Sequence, residues 1–244
     1  MTSARQDAAE ETEVPVPGSR FRNYVVESLV HATEISAVYS VRSEGEEPES
    51  ALEVVTSSSF SARAAESYLS AHRWLQKARG PSFPLCREAN TTALGAPFSV
   101  TTALAGVRLD ELRAARGGHL PLGETLAVVD QLIELLQEAL HDGVAIGLLD
   151  EENIRVLPDG VVQLRGWGHR LLCYEDGSRT GRRPSGAPEI TCKIDPAERL
   201  GEPALVWEVG ALTACLLTGH ARGVAPAAGD GAAALAAVDV LPIL

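Results

Sequence analysis

The segment from Pro121 to Gly168 decides the fold of this 244-residue chain; it reads PLGETLAVVDQLIELLQEALHDGVAIGLLDEENIRVLPDGVVQLRGWG. In its first part, apolar residues recur at alternating steps of three and four, as on one face of an α-helix: Leu126, Val129, Ile133, Leu136 and Leu140. Gly143 predicts the end of this helix. Two short apolar runs follow, joined by a Pro-Asp-Gly turn, and they predict a pair of strands.

The order of residues in this segment resembles the catalytic core of the eukaryotic-type Ser/Thr protein kinases found in bacteria. Residues 143–156, GVAIGLLDEENIRV, lie over the family's G-I-V-H-R-D-L-K-P-E-N-I-L-V. Residues 162–168, VQLRGWG, lie over its V-K-L-x-D-F-G. The resemblance covers roughly residues 24–219 and includes the Ala187-Pro188-Glu189 tripeptide of the family's A-P-E motif. It implies an α+β, two-lobed fold with a small lobe of antiparallel strands and one helix, and a mainly helical, apparently truncated large lobe.

Three regions are expected along the chain. Residues 1–20 are acidic and rich in Ala, Glu and Thr, a composition that predicts a disordered tail. Residues 21–105 would form the small lobe, and residues 106–244 a large lobe that is short at its C-terminal end. The helix from Leu205 to Gly219 is apolar on nearly every side and should be buried. The lobe is either trimmed or part of a longer chain, and composition does not distinguish these two cases.

The catalytic residues of the family are replaced in this chain. Its H-R-D motif corresponds to Ile146, Gly147 and Leu148, and Gly166 stands where the family has its metal-binding aspartate. Leu148 cannot orient a substrate hydroxyl and Gly166 cannot hold magnesium. Asn153 alone matches a magnesium ligand of the family, and a structural role is favoured for it.

The phosphate-binding elements are replaced as well. The three glycines of the family's phosphate loop correspond to His31, Thr33 and Ser36, and Glu53 occupies the place of the lysine that pairs with the α- and β-phosphates. Two unit charges about 4 Å apart at an effective dielectric constant of 20 interact by roughly 4 kcal/mol, so an inward Glu53 would repel ATP.

Two features of the cleft stay open at this point. Glu53 could instead point to solvent from an edge strand; if it points inward it needs a cation, and Arg63 or Arg73 could provide one. An adenine-sized pocket with mostly apolar walls could survive between the lobes.

A basic segment follows the V-x-L-x-G-W-G motif in an otherwise acidic chain. It gathers Arg165, His169, Arg170, Arg179, Arg182 and Arg183, interleaved with Ser178, Thr180 and Ser185. Such a cluster is suited to an acidic or phosphorylated partner, and Arg170, Arg179, Arg182 and Arg183 are its candidate protein contacts. The alternative is a solvated loop whose arginines keep it soluble.

Composition excludes several functional classes. A formal charge of −12 argues against nucleic acid or an anionic membrane as partner. No apolar run approaches the roughly 20 residues of a membrane span, and the N-terminus lacks the apolar region of a secretory signal. The four cysteines and six histidines show no metal-ligand or disulfide spacing. A cytoplasmic protein without metal or cofactor is therefore expected.

These observations predict a catalytically inactive kinase-like domain, or pseudokinase, that acts as a protein-binding scaffold or regulator in bacterial signalling. Its partner would be a protein such as a true kinase or a phosphoprotein. The alternatives are a divergent kinase or nucleotide-sensing switch with weak ATP binding, and an intramolecular regulatory domain of a longer polypeptide.

Overall fold

The computed structural model describes residues 14–33, 35–43, 50–57, 60–103, 105–147, 149–169, 172 and 202–220. Within these ranges the chain forms two antiparallel sheets and four α-helices. A six-stranded sheet and one helix come first, followed by a three-stranded sheet and the other helices. This arrangement confirms the predicted α+β fold with a small β lobe.

The large sheet holds the strands in the order β1-β2-β3-β4-β6-β5. Its strands are β1 (Arg20–Phe21), β2 (Tyr24–Ala32), β3 (Ser36–Ser43), β4 (Ser50–Val55), β5 (Cys86–Thr91) and β6 (Pro97–Thr102). Residues 24–42 carry two apolar runs around a polar centre, a pattern that predicts a hairpin, and β2 and β3 form it. Alternate side chains on one face of the sheet form a core that includes Val26, Leu52 and Phe98, all 0 % exposed.

The predicted disordered tail differs from the structure at residues 14–20. Gly18 donates its backbone N–H to the carbonyl of Val26 at 2.7 Å, and Val26 donates to the carbonyl of Ser19 at 2.9 Å. Arg20 then begins β1. These backbone hydrogen bonds extend the edge of the sheet, so the part of the predicted tail that the structure describes is held against β2.

The helix of the small lobe, α1 (Ala62–Leu75), begins where Ser61 accepts a hydrogen bond from the backbone N–H of Ala64 at 3.2 Å. Its buried side includes Tyr68, Leu69 and Leu75, as the helical spacing predicts. Leu75 belongs to the core of the large lobe, whereas Tyr68 packs with Val55 beside the sheet. The helix therefore lies between the two lobes and contacts both.

The second sheet is a ribbon at the entrance to the large lobe, with β7 (Val107–Arg108), β8 (Ile154–Val156) and β9 (Val162–Leu164) in that order. A 3₁₀ turn, Glu151–Asn153, precedes β8. The predicted Pro-Asp-Gly turn joins β8 to β9, and Gly160 takes the positive φ of 85° that such turns require.

The long helix of the segment that decides the fold is α3 (Leu122–His141), which follows the shorter α2 (Leu109–Ala115). It ends as predicted, and Gly143 has a φ of 68°. The predicted face is only partly the buried one: Leu136 is buried and Leu140 packs against the core, but the other buried residues are Thr125, Val128, Leu132, Leu135 and Ala139. Leu126 and Ile133 are 54 % and 39 % exposed. Apolar residues occupy more than one side of this helix, so its spacing alone does not identify the side that packs.

The last helix in the described part of the chain, α4 (Glu202–Thr218), packs on α3. Leu205, Leu212, Cys215 and Leu216 are buried, but Val206 is 66 % exposed. The prediction that this helix is buried on all sides is therefore wrong, because the described residues cover only one side of it.

Candidate functional site in the interlobe cleft

In the β2–β3 turn, a side chain of the turn itself accepts hydrogen bonds from the backbone N–H groups. The Thr33 hydroxyl accepts hydrogen bonds from the N–H groups of Ile35 at 3.1 Å and Ser36 at 3.0 Å. Thr33 also donates its backbone N–H to the carbonyl of Ser36 at 2.8 Å. In the kinase family the amides of this loop face the phosphates, so here the hydroxyl of Thr33 takes the place that an anion would need. His31 lies at the end of β2, outside this hydrogen-bonded turn.

Glu53 points into the protein from the middle of β4. The Ser36 hydroxyl donates to its Oε1 at 2.9 Å, and the Tyr68 hydroxyl donates to its Oε2 at 3.4 Å. Nε2 of His169 lies 3.2 Å from Oε1, within ion-pair distance. Ser99 on β6 completes the group through a 2.8 Å contact with the Tyr68 hydroxyl. The cluster joins β3, β4, β6, α1 and the segment after β9.

These contacts correct two expectations about Glu53. The side chain is not exposed, since only 12 % of it is accessible to solvent. Its cation is neither Arg63, which is exposed on α1, nor Arg73, which pairs with Glu66 at 2.8 Å on the surface. The groups that attract it come instead from the large lobe, and they are His169 and Arg165. Both residues lie close to the G-W-G motif in the sequence, but the sequence predicted that they contact a protein partner and not Glu53.

The electrostatics of the cluster follow from this arrangement. Burial by itself would raise the pKa of Glu53, but the attraction of His169 and of Arg165 holds that pKa well below its usual range. Burial and the Glu53 carboxylate raise the pKa of Tyr68, which therefore stays a hydroxyl donor. Burial lowers the pKa of His72, one helical turn further along α1, to about 4. A buried anion is thus fixed where the family places a lysine.

The two positions that correspond to magnesium ligands lie next to each other. A Cβ atom at Gly166 would lie 3.5 Å from Cγ of Asn153, but Gly166 has a φ of 70° and no side chain to contribute. A Cβ atom at Gly147 would approach the carbonyl oxygen of Gly166 to 1.9 Å, so the two backbones are in direct contact there. Leu148, at the position of the catalytic aspartate, lies outside the described residues.

The segment after β9 is packed tightly against α1. A Cβ atom at Gly168 would lie 2.6 Å from the Cα of Tyr68, so backbone meets backbone at this point. Trp167 is 1 % exposed and lies against Trp74 of α1, with ring centroids 5.5 Å apart. Nε1 of Trp74 donates to Oδ2 of Asp142 at the end of α3, at 2.7 Å. These contacts hold α1 directly on the large lobe.

The ribbon contributes four polar side chains to the cleft, for which the sequence predicted other roles or none. In the β8–β9 register, Arg155 is opposite Gln163 and Asn153 is opposite Arg165, so these four side chains share one face. The other face, with Ile154, Val162 and Leu164, lies in the core. Gln163 donates to the carbonyl of Pro81 at 2.6 Å, and Arg155 to that of Gly106 in the connection between the lobes at 2.8 Å.

The polar face of the ribbon therefore looks toward the small lobe. A signal for this was present in the sequence, because Arg155, Gln163 and Arg165 alternate with the apolar residues of the two strands. The candidate contact residues Arg170, Arg179, Arg182 and Arg183 lie outside the described residues.

Comparisons with known proteins identify the fold. No protein-family model matches the chain, and no curated protein does. Among solved structures, the PknI kinase domain of Mycobacterium tuberculosis superposes with a TM-score of 0.66 at 17 % identity, covering 87 % of this chain and 82 % of that one. A second PknI kinase-domain structure gives a TM-score of 0.65 at 18 % identity, covering 87 % and 80 %. The apo form of PpkA-294 gives 0.66 at 15 % identity, covering 85 % and 80 %.

In the described part of the chain, no helix has both the length and the apolar character that crossing a membrane requires. The structural neighbours are bacterial Ser/Thr protein kinase domains. At this level of identity the similarity establishes the architecture and leaves the chemistry to the residues of the cleft. The chain has a protein-kinase-like α+β fold.

Proposed function

We propose that this protein is a pseudokinase: a kinase-like domain that does not transfer phosphate and that acts as a protein-binding scaffold or regulator in signalling. The observation that carries the proposal is the buried Glu53. Its carboxylate is held by Ser36 and Tyr68 and faces the cleft region where the family's phosphate-pairing lysine would be. A fixed anion at this point opposes the binding of the ATP phosphates.

Two further observations support the loss of chemistry. The Thr33 hydroxyl accepts the hydrogen bonds of the loop amides that would otherwise face phosphate. Gly166 provides no carboxylate beside Asn153, so a magnesium ion would lack a charged ligand there. Each of these losses removes an element that stabilises phosphoryl transfer, and together they remove the lysine, the loop and one metal ligand.

Thermal denaturation with and without millimolar ATP and magnesium tests the proposal. A ligand at 100 times its Kd would stabilise the fold by about 2.7 kcal/mol, which is a shift of several degrees for a chain of this size. We expect no magnesium-dependent shift, and no transfer of labelled γ-phosphate to the protein itself or to a generic substrate. A magnesium-dependent rise in Tm accompanied by phosphate transfer would instead establish a divergent kinase, and a rise without transfer a nucleotide-sensing switch.

The scaffold role is tested at the basic segment. A variant with Arg179, Arg182 and Arg183 changed to alanine should lose its protein partners in a pull-down, because the cluster is the main cationic feature of an acidic chain. The control changes Arg63, Lys77 and Arg79, which are exposed on or just after α1 and carry the same total charge. If both variants recover the same partners as the unmodified protein, the segment is not the docking surface.

A further inference from the structure

The cleft contains two neighbouring guanidinium groups, those of Arg155 and Arg165. Arg155 and Arg165 are diagonal neighbours on the polar face of the β8–β9 ribbon, a relationship that places Cα atoms roughly 7–8 Å apart. Both side chains are half-buried. Long cationic side chains this close together repel each other unless an anion lies between them.

The hydrogen bonds of these two arginines are incomplete. Arg155 donates from Nη1 to the carbonyl of Gly106, but its buried Nε finds no acceptor in the described part of the protein. None of the described residues accepts a hydrogen bond from the side chain of Arg165. Buried polar groups in proteins are nearly always hydrogen-bonded, and buried charges are nearly always paired. Nε of Arg155 is thus a buried donor that an oxygen atom of a ligand would satisfy.

The nearby carboxylates already have partners. Glu53 attracts Arg165 but binds Ser36, Tyr68 and His169. Asp110, near Arg155, binds the side chain of Arg108 at 2.9 and 2.6 Å.

The pKa values agree with this picture. Burial lowers the pKa of both arginines, and repulsion by Arg165 lowers that of Arg155 further. Attraction by Glu53 offsets part of this effect at Arg165, and attraction by Glu111 and Asp110 offsets part of it at Arg155.

From this juxtaposition we propose that the cleft face of the ribbon binds a small oxyanion, a phosphate or carboxylate group, between Arg155 and Arg165 and without a metal ion. The planar fork of a guanidinium matches such groups and binds them through paired hydrogen bonds. The site differs from the phosphate loop of the kinase family, which lies at the β2–β3 turn and is closed here by Thr33. It does not depend on the proposed function, since a phosphate site on the ribbon is compatible with either an inactive or an active domain.

Calorimetric titration of the whole protein with inorganic phosphate, in EDTA and at constant ionic strength, tests the site. We expect saturable binding with a Kd in the millimolar range or below, which is at least about 4 kcal/mol of binding free energy. Arg165→Gln should weaken phosphate binding at least 10-fold. Arg165→Lys keeps the charge but loses the fork, and should show intermediate affinity. Arg79→Gln, on an exposed arginine, should bind like the unmodified protein.

Stability of the variants with and without phosphate separates a ligand site from a purely structural role. Because Arg165 also attracts Glu53, R165Q should melt lower than the unmodified protein without phosphate in either case. If Arg165 binds an anion, phosphate should raise the Tm of the unmodified protein and of R79Q, and raise that of R165Q much less. If its role is only to pair with Glu53, phosphate should change the Tm of none of the three proteins. Absence of saturable binding up to about 10 mM phosphate, or equal affinity in R165Q, would overturn the proposal.

Competition experiments with metal-free ATP and with adenosine show whether the site recognises the oxyanion or the base. ATP without magnesium should compete with inorganic phosphate, whereas adenosine should not. Competition by adenosine alone would place recognition in the base and contradict an oxyanion site. Phosphate transfer in the earlier assay would overturn the pseudokinase proposal and leave this one untouched.

Discussion

Oε1 of Glu53 lies 3.2 Å from Nε2 of His169, and this pair joins β4 of the small lobe to the segment after β9 in the large lobe. A kinase of this fold would rely on a lysine at the first position. Glu53 instead places a carboxylate on the small-lobe side, and the groups that attract it, His169 and Arg165, come from the large lobe. This attraction contributes to holding the two lobes together.

Removing the charge of Glu53 should destabilise the protein. Glu53→Gln leaves Ser36, Tyr68 and His169 without a carboxylate, and we expect a loss of about 2–3 kcal/mol in the free energy of unfolding. Urea denaturation at pH 7 measures it. Glu27→Gln is the control, because Glu27 pairs with Arg42 on an exposed part of the hairpin and its loss should cost less than about 1 kcal/mol. Equal effects in the two variants would show that the Glu53 cluster adds no particular stability.

Converting Glu53 to the family's lysine should not restore nucleotide binding. Glu53→Lys places a third cation beside His169 and Arg165, which should destabilise the fold by about 3 kcal/mol or more. The Thr33 hydroxyl would still occupy the loop amides, so ATP and magnesium should not raise its Tm. Glu27→Lys provides the same change of charge at an exposed position. A nucleotide-dependent shift in E53K would show that the charge at this single position is what excludes ATP.

The buried His72 should make stability fall as the pH drops from 6.5 to 4. Its pKa in the folded protein is about 4, compared with 6.5 for an ordinary histidine, so over this range the unfolded chain binds a proton that the folded protein does not. Its contribution is full above pH 6.5 and decreases by up to about 3 kcal/mol toward pH 4. Glu53, whose pKa is also lowered, adds a further loss below the ordinary range of a carboxyl.

The variant His72→Phe should flatten the pH dependence of the unfolding free energy between pH 6.5 and 4. His141→Gln, at an exposed position at the end of α3, should leave the slope unchanged. Urea titrations at half-unit steps of pH measure both. An unchanged slope in H72F would assign the pH dependence to other groups.

Gly168 should not tolerate a side chain. Its φ of 74° is strained for other residues, and an added Cβ would meet the Cα of Tyr68 at 2.6 Å. We expect Gly168→Ala to cost about 3 kcal/mol or more, of which about 1–2 kcal/mol is the backbone conformation alone. Gly160→Ala measures the cost of the backbone conformation alone, because Gly160 has a φ of 85° and an added Cβ would have nothing within 4 Å. Similar losses in the two variants would mean that α1 moves away from Gly168 at little cost.

Much of this fold could be predicted because its elements follow in a fixed order with clear boundaries. The end of α3 at Gly143, the Pro-Asp-Gly turn and the β2–β3 hairpin all depend on local chemistry that one sequence displays. Which side chains point into the core could not be predicted in this way, because it depends on contacts with residues far along the chain. Leu126 and Leu132 are equally apolar, yet only Leu132 is buried, because α4 and the ribbon pack against that side.

The charged residues of the cleft show the same limit. Arg165 and His169 suggested a basic surface loop because they precede other arginines in sequence. Arg165 instead follows directly after β9 and lies close enough to Glu53, more than one hundred residues earlier in the chain, for the two charges to attract each other. No local pattern links those two positions, although the alternation of Gln163, Leu164 and Arg165 in the sequence separates Arg165 from the apolar side.

The direct backbone contact between Gly168 and Tyr68 has a consequence for recognition by other proteins. Together with the Trp74–Asp142 hydrogen bond it fixes the position of α1 without help from any nucleotide. A protein that docks on the outer side of α1 would meet a surface already in its bound geometry, so association would lose little conformational entropy. Recognition of such a surface should be fast, and it should be insensitive to the nucleotide content of the cell.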